Sequence, residues 1–249
     1  MKKYSLKSKW KRWIAAFDSH GNLQNDWITE RFFEFLEIWK PHKRYHGGDL
    51  YNFAPLRGKA TQSEKCEDMD EDFKAGTAFF DRLRRHAWVL GNHDQRLWDL
   101  QHNAYGDIRM LASQLVDSIE HKAKKAGCEI LPYDARLGVI SIGNFRLVHG
   151  FYTGKYAAAR HVAAFNNCFF GHVHSFSEFA NENIEPAKAV GIGCMCEIDQ
   201  DYNRAMPAKL RHKNGWLYGI VNEDTGQVHY WMAQKDGDNL IIPSDVVVL

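Results

Sequence analysis

The sequence has no long hydrophobic run, the mark of membrane proteins, and little net charge, whereas strongly charged binding proteins have an excess of one sign. It contains 32 lysine and arginine residues against 31 acidic ones, and the net charge of +1 gives no overall electrostatic reason to expect a nucleic-acid binder. No apolar stretch is long enough to cross a bilayer, and "WIAAF" at residues 13–17 is too short for the core of a signal peptide. We therefore expect a cytoplasmic protein without membrane contact.

Cysteine is also scarce, and its spacing excludes two common uses. The chain has five cysteines, an odd number, and none of them forms a C-x-x-C pair. This pattern favours neither a disulfide framework nor a zinc ribbon or thioredoxin-like motif. We expect reduced thiols. Cys194 and Cys196 have strand spacing and could approach a nearby site, but packing as small apolar side chains is the expectation for both.

The composition that remains is that of a globular protein with a full core. Apolar residues make up 45% of the chain and charged residues 25%, which argues against disorder. Apolar runs alternate with segments of helical periodicity, an order typical of an α/β fold. We predict one domain over residues 1–249. Its sheet should be mixed, because "ISIGNFRLV" has the Gly-Asn turn signal of a hairpin.

The predicted elements follow from these patterns. Strands are expected at 12–18, 44–49, 86–92, 139–150 and 167–174, with a further hairpin at 215–221 and 227–232. Helices are expected at 25–39, 63–85 and 107–126. The acidic run at 67–72 is expected on the exposed face of the second of these helices.

Polar side chains able to bind metal follow nearly every predicted strand. The carboxyl ends of parallel strands lie along one edge of an α/β sheet, so these side chains would converge although they are far apart in the chain. Residues two apart on an extended segment point to the same face, which pairs Asp18 with His20 and His172 with His174. The candidate ligands are Asp18, His20, Asp49, Asn92, His149, His172 and His174.

Seven candidate ligands are too many for one ion but suit two ions that share a bridging carboxylate. Imidazole, amide and carboxylate groups without thiolates suit divalent transition-metal ions, and we predict two Mn²⁺ ions, with Fe, Zn²⁺ or Ni²⁺ as alternatives. Two such ions with only two aspartates would keep a positive charge that attracts a phosphate. Ions roughly 3.5–4 Å apart lower the pKa of a bridging water and support in-line attack on phosphorus.

The series D-x-H, G-D, G-N-H-D, H-G and G-H-x-H, in this order from Asp18 to His174, resembles the calcineurin-like metallophosphoesterase superfamily. The resemblance implies a four-layer α/β/β/α sandwich with two mixed central sheets and a dinuclear metal site at the edge where the strands end. By position, Asp18, His20 and His174 would hold the first ion, Asn92, His149 and His172 the second, and Asp49 would bridge them. His93 matches the superfamily's non-ligand histidine near the leaving group.

The sequence departs from the superfamily's pattern at two points, and these departures narrow the activities that the resemblance implies. The second block continues "GGDLYNFAPLRG" where phosphoprotein phosphatases have an aspartate-arginine-glycine sequence, and Asn52 stands where an aspartate is common. A Ser/Thr protein phosphatase is therefore disfavoured. The segments "GNHDQRLWDL" and "GIGCMCEIDQDY" are similar to those of small metallophosphoesterases encoded by phages and prophages, a likeness that names no substrate.

These residues predict an enzyme, a metal-dependent phosphoric ester hydrolase that uses a metal-bridging hydroxide. His93 would protonate the leaving alkoxide. Arg96, at the start of a predicted helix, could bind a substrate phosphate, and an ordinary surface arginine is the alternative. We prefer a phosphodiesterase acting on nucleic acid or nucleotides. The alternatives are a phosphomonoesterase of small metabolites or phosphoproteins, a non-catalytic metal-binding module of the same fold, and a mononuclear structural site.

Overall fold

The computed structural model describes residues 9–84, 86–198 and 211–243. The strands in these ranges are β1 (Trp10–Ala16), β2 (Lys43–His46), β3 (Ala87–Val89), β4 (Glu129–Leu131), β5 (Ile140–Ile142), β6 (Phe145–Val148), β7 (Cys168–Phe170), β8 (Ser177–Ala180), β9 (Lys188–Gly191), β10 (Gly215–Asn222), β11 (Val228–Asp236) and β12 (Asn239–Ile241). The α-helices are α1 (Asp26–Trp39), α2 (Gln62–Lys65), α3 (Met69–Leu83), α4 (Gln95–Asn103), α5 (Gly106–Lys125) and α6 (Ala157–Phe165). Helices separate β1, β2, β3 and β4 from one another, which is the order predicted for an α/β fold.

Two mixed sheets form the centre of the molecule. The first has the order β12-β11-β10-β1-β2-β3-β4, in which β1 to β4 are parallel and the pairs among β1, β10, β11 and β12 are antiparallel. The second has the order β5-β6-β7-β9-β8, in which β6, β7 and β9 are parallel and the two edge strands are antiparallel to their neighbours. The predicted α/β class with two mixed sheets is confirmed.

The alternating side chains of β1 divide between two hydrophobic cores. Trp13 and Phe17 belong to the core between the two sheets, where the ring of Trp13 lies 5.5 Å from that of Phe169. Ile14 and Ala16 face the other way, into a core shared with α1, α3 and α5. A third core packs α6 on the outer face of the second sheet. These three cores separate four layers, the α/β/β/α arrangement that the resemblance implies.

Helix α1 shows how the local sequence sets these elements. Asn25 caps its start by accepting a hydrogen bond from a backbone N–H in the first turn, and the helix ends where Lys40 adopts a left-handed backbone. Apolar side chains at spacings of three and four cover one face of the helix. Through this face, the ring of Phe35 packs on Trp216 and Tyr218 of β10, at centroid distances of 5.6 and 4.8 Å. The predicted helix is confirmed to within a residue.

Two predictions about the segment 63–85 are wrong. The segment forms two helices, because Asp68 caps the start of α3 by accepting hydrogen bonds from two backbone N–H groups of its first turn. The acidic run is not wholly exposed, because Asp72 is buried. The carboxylate of Asp72 accepts hydrogen bonds from the backbone N–H groups of Asn52 and Phe53. It therefore fixes the loop that follows β2.

Several short elements are absent from the predictions. Each of β4, β8, β9 and β12 has three or four residues, which is too short to show a period-two pattern. Helix α6 has nine residues and is not among the predicted elements, whereas α4, also of nine residues, begins at Gln95, where the start of a helix is expected beside Arg96. Within residues 9–84, 86–198 and 211–243, no helix combines the length and the apolar character that crossing a bilayer requires.

Candidate metal centre

The candidate ligands lie in the loops that follow five parallel strands and meet at one edge of the two sheets. Asp18 and His20 follow β1, Asp49 follows β2, Asn92 follows β3, His149 follows β6, and His172 and His174 follow β7. Backbone hydrogen bonds tie the first two loops together. The N–H of His20 donates to the carbonyl of Asp49 at 2.9 Å, and the N–H of Asp18 donates to that of Gly48 at 3.0 Å.

Most of the candidate ligands have an unusual backbone conformation. The residues with a positive φ include Asp18, His20, Asp49 and His174, each at 52°, and His172 at 67°. Aspartate and histidine enter this left-handed region more readily than β-branched residues, but it is still uncommon outside glycine. Such conformations cluster at functional sites, where the surrounding structure holds them in place. The loops at this edge are therefore shaped to direct side chains to a common point.

Two glycines of the motifs let the loops approach the ligand side chains. A Cβ atom on Gly91 would lie 2.0 Å from Oδ1 of Asp49, and a Cβ atom on Gly171 would lie 2.5 Å from Oδ2 of Asp18. Neither position can carry a side chain unless a carboxylate moves, and at Gly91 the backbone nitrogen of Asp49, 2.3 Å from such a Cβ, would have to move as well. The glycines of G-N-H-D and G-H-x-H are thus required by close packing against the two buried aspartates.

Asp18, His20 and His174 form what we call the first cluster. Nε2 of His20 lies 3.3 Å from Nε2 of His174, and Nε2 of His174 lies 3.4 Å from Oδ1 of Asp18. Donor atoms that bind one ion at about 2.1 Å are separated by roughly 3.0–3.4 Å at tetrahedral or octahedral angles. The two distances from Nε2 of His174 therefore fit donor atoms that share one transition-metal ion.

Asn92, His149 and His172 form the second cluster. Nε2 of His149 lies 3.1 Å from Oδ1 of Asn92, and the rings of His149 and His172 have centroids 5.2 Å apart. Nδ1 of His149 lies 3.0 Å from the carbonyl oxygen of Gly47. Nδ1 of this imidazole therefore donates its proton to that carbonyl, and Nε2 faces the cluster.

Asp49 lies between the two clusters. Its Oδ2 is 3.7 Å from Nε2 of His20 and 3.3 Å from Nε2 of His149. Its Oδ1 accepts a hydrogen bond from the backbone N–H of His93 at 2.8 Å. Asp49 can group with His149 and His172, and also with His20 and His93, so that the donor atoms of each group lie within 4.8 Å of one another. The structure thus brings together all seven predicted ligands and puts the predicted bridging carboxylate in the middle.

The electrostatics of the centre are set by buried carboxylates that lie among imidazoles. Burial opposes the charge of Asp49, but His149, His93 and His20 hold the pKa of this carboxyl well below its ordinary value. Burial also opposes a charged His149, yet Asp49 raises the pKa of that imidazole to about 9. Burial lowers the pKa of His20 and of His172 to about 4. Buried carboxylates that draw protons onto neighbouring imidazoles fit a site where a divalent cation replaces those protons.

His93 lies next to the first cluster, with its ring 4.5 Å from that of His20 and nearly perpendicular to it. Nδ1 of His93 lies 2.9 Å from the carbonyl oxygen of Asn52 and 3.0 Å from its Oδ1. Nδ1 therefore carries the proton and donates it to Asn52, which directs Nε2 away from this residue. Burial lowers the pKa of His93 well below its ordinary value.

Arg96, the predicted phosphate-binding residue, supports the same loop. Its Nη1 donates to the carbonyl oxygens of Asn52 and Phe53, at 2.9 and 3.2 Å. Nearby, Arg57 forms an ion pair with Glu64 at 2.8 Å. The contacts of Arg96 give it a structural task, and binding of a substrate phosphate by Arg96 stays a prediction.

Asp94, the last letter of G-N-H-D, is a residue that the prediction left without a role. Its buried carboxylate accepts hydrogen bonds from the backbone N–H groups of Gly91, Tyr51 and Leu50, at 2.9, 2.9 and 3.2 Å. Burial, with the charge of Asp49 as a second cause, raises the pKa of Asp94 to about 7. Asp94 joins the loop after β3 to the loop after β2, and its presence in the motif is the signal that could have identified it.

The segment that begins at Gly191 is described as far as Ile198, and it reaches the centre. Cys194 and Cys196 are buried, as expected for packing residues. In addition, Sγ of Cys196 lies 3.8 Å from Nδ1 of His174. The spacing of the cysteines is compatible with this contact but does not predict it.

No protein-family model matches the chain, and no curated protein has a matching sequence. Among solved structures, a metallophosphoesterase from Sphaerobacter thermophilus has 16% identity and a TM-score of 0.47, with 91% of this chain and 88% of that chain covered. Vps29 complexed with zinc from Entamoeba histolytica has 13% identity and a TM-score of 0.49, with coverage of 92% and 96%. The phosphoesterase Yfce from E. coli has 16% identity and a TM-score of 0.42, with coverage of 88% and 98%. At these identities the similarities concern the fold alone. Inferences about the chemistry of the centre rest on the motif series and on the distances between its side chains.

Proposed function

We propose that this protein is a dinuclear metal-dependent phosphoesterase and that its substrates are phosphodiesters of nucleic acid or nucleotides. The observation that carries the proposal is the position of Asp49. Its Oδ2 lies 3.7 Å from an imidazole nitrogen of the first cluster and 3.3 Å from one of the second. A carboxylate shared by two sets of donors is what a pair of ions requires.

The first cluster would hold one ion and the second cluster the other, with Asp49 between them. Imidazole, amide and carboxylate donors suit Mn²⁺, which we propose as the metal, with Fe, Zn²⁺ and Ni²⁺ as alternatives. When bound, a pair of divalent ions supplies Lewis acidity toward phosphoryl oxygens. The residues of the chain then have to orient the ester and provide a proton for the oxygen that leaves.

His93 is suited to provide that proton. Because Asn52 accepts the Nδ1–H of His93, its Nε2 is the nitrogen that can deliver a proton to the leaving oxygen. Burial disfavours the charged ring in the free protein. The negative charge of a substrate phosphate next to the ring would favour it, so that protonation of His93 would accompany substrate binding.

The charges around the loop after β2 favour a diester over a monoester. A monoester phosphate carries a charge of about −1.5 to −2 near neutral pH, whereas a diester carries a single negative charge. Arg96 and Arg57, which lie by this loop, already bind backbone carbonyls and Glu64. A singly charged diester needs less help from such cations.

The proposal is tested by hydrolysis of bis-p-nitrophenyl phosphate beside p-nitrophenyl phosphate, with metal-stripped protein reloaded with Mn²⁺. We expect diester turnover that requires metal and that is lost in Asp49→Ala, because this substitution removes a donor from both clusters. Asp117→Ala, at an exposed position of α5, is the matched control and should retain full activity. Single-stranded oligonucleotides and cyclic nucleotides would then be compared as substrates.

The other outcomes contradict parts of the proposal. Preference for the monoester would direct the search to small phosphorylated metabolites. Silence on both esters with two ions bound would identify a non-catalytic metal-binding module, and silence with a single ion per chain would identify a structural metal site.

A further inference from the structure

The two ring nitrogens of His174 face different neighbours. Nε2 faces the first cluster, 3.3 Å from Nε2 of His20 and 3.4 Å from Oδ1 of Asp18. Nδ1 faces Sγ of Cys196, at 3.8 Å. If Nε2 is the nitrogen that binds an ion, Nδ1 must carry the proton. Two thiols, those of Cys194 and Cys196, interact with this imidazole, and Sγ of Cys196 is the one that lies within hydrogen-bond distance of Nδ1.

The position of this sulfur is fixed by the loop that carries the ligands. Cys196 forms an isolated β-bridge with Gln24, and the backbone N–H of Met195 donates to the carbonyl of Asp18 at 3.1 Å. On the other side, Nδ2 of Asn214 donates to the carbonyl of Cys196 at 2.6 Å. Cys196 is fully buried and His174 is 6% exposed, so water has little access to compete for the Nδ1 proton.

We propose that Cys196 is a positioning residue of the metal centre, whose sulfur accepts the Nδ1–H of His174 and thereby fixes the direction of Nε2. The inference rests on the proposed metal centre. Histidine ligands of metals usually donate their second ring N–H to a carboxylate, a carbonyl or water, and this partner sets the tautomer and the orientation of the ring. A sulfur atom is a weaker acceptor than these oxygens, and the first ion is therefore held less tightly than an oxygen acceptor would allow.

Direct binding of an ion by Cys196 is the alternative that the geometry disfavours. His20, His174 and Cys196 can offer donor atoms within 4.8 Å of one another, and such a sulfur-containing set would suit a thiophilic ion. However, the two nitrogens of one imidazole diverge and cannot both point at the same ion. Because Nε2 of His174 already faces Asp18 and His20, the sulfur acts through the ring.

The test uses cobalt binding to the metal-stripped full-length chain, followed by calorimetry and by absorption spectra. We expect wild type to bind two Co²⁺ ions, and Cys196→Ala to weaken the binding of one of them by roughly 10–100-fold while the other is unchanged. The visible bands of the weakened ion should shift as the His174 ring reorients. Cys196→Ser should recover only part of the affinity, because its hydroxyl oxygen accepts a hydrogen bond but is carried on a shorter bond than sulfur and so lies farther from Nδ1.

Cys128→Ser is the matched control, since Cys128 is a buried cysteine directly before β4 and outside both clusters. It should bind both ions with wild-type affinity, and circular dichroism should show that every variant compared is folded. If Cys196→Ala does not fold, the comparison of Cys196→Ser with wild type decides, with a smaller loss expected.

Three results would overturn the inference. Equal affinities for cobalt in Cys196→Ala and wild type would show that Cys196 only packs in the core and does not position His174. An intense near-ultraviolet thiolate-to-cobalt band in wild type that is lost in Cys196→Ser would show direct binding by sulfur, and failure of wild type to bind cobalt would remove the centre itself. Because the readout is metal binding, absence of ester hydrolysis would count against the proposed function and leave this inference standing.

Discussion

The two clusters of the candidate centre orient equivalent imidazoles with different partners. In the second cluster, Nδ1 of His149 lies 3.0 Å from the backbone carbonyl oxygen of Gly47, at the end of β2. In the first cluster, Nδ1 of His174 lies 3.8 Å from the side-chain sulfur of Cys196. The sheet fixes the position of a backbone carbonyl at a strand end, and every residue type provides such a carbonyl. A thiol depends on one side chain, so the first cluster is the one whose affinity a single substitution can adjust.

The largest expected effect comes from removing the imidazoles themselves. His149→Ala and His174→Ala should each reduce the bound Mn²⁺ from two ions to one, because each imidazole belongs to a different cluster. Diester hydrolysis should be undetectable in both variants. Metal analysis after equilibrium dialysis provides the measurement. Loss of both ions in either variant would show that the clusters do not bind independently, and the comparison between them would fail.

His93→Ala should have the next largest effect, and on turnover alone. His93 is next to the ring of His20 but is predicted to serve as the proton donor, so both ions should remain bound. Hydrolysis of a diester with a poor leaving group should fall by roughly 10²–10⁴-fold. Hydrolysis of bis-p-nitrophenyl phosphate should fall much less, because p-nitrophenolate leaves without a proton. Undiminished turnover of the poor substrate, or loss of an ion, would refute this role.

Asp94→Asn should act on stability, because Asp94 joins two ligand loops without touching an ion. The amide of asparagine would place its NH₂ group against backbone N–H groups that now donate to the carboxylate. One unsatisfied buried donor costs about 1–3 kcal/mol, which is a few degrees of melting temperature or more for a chain of this size. This loss of stability is measured by thermal unfolding of Asp94→Asn, with Asp117→Asn, a substitution at an exposed position, as the control. An unchanged melting temperature would mean that the loops are held by other contacts.

Sequence patterns located the residues that meet at this sheet edge better than the elements that surround them. Asp18, Asp49 and His174 stand out because polar residues directly after apolar strands are conspicuous, and strand ends converge by the geometry of parallel sheets. Short elements such as β8 and α6 leave too few residues for a period to be recognised.

What supports the ligands was harder to predict, because it depends on contacts between distant segments. Asp72 looked like part of a charged helix face and is a buried acceptor for the loop after β2. Cys196 and His174 are 22 residues apart, and nothing in their spacing distinguishes a contact with the imidazole from ordinary packing.

Asn52→Ala should have the smallest effect, and it extends the comparison of carbonyl and side-chain support to His93. Nδ1 of His93 has two acceptors from the same residue, the carbonyl oxygen of Asn52 at 2.9 Å and its side-chain Oδ1 at 3.0 Å. Removing the side chain leaves the carbonyl in place, so His93 should keep its tautomer and most of its orientation. The substitution also removes the hydrogen bond that Nδ2 of Asn52 donates to Glu67 at 2.9 Å, which does not involve the histidine. The lost hydrogen bond to His93 is worth about 0.5–1.5 kcal/mol, and kcat on a poor leaving group should therefore fall by only about 2- to 10-fold, with KM and metal content unchanged. A loss as large as that of His93→Ala would show that the side chain, not the backbone, orients this histidine, and support by a carbonyl would then be no safer than support by a thiol.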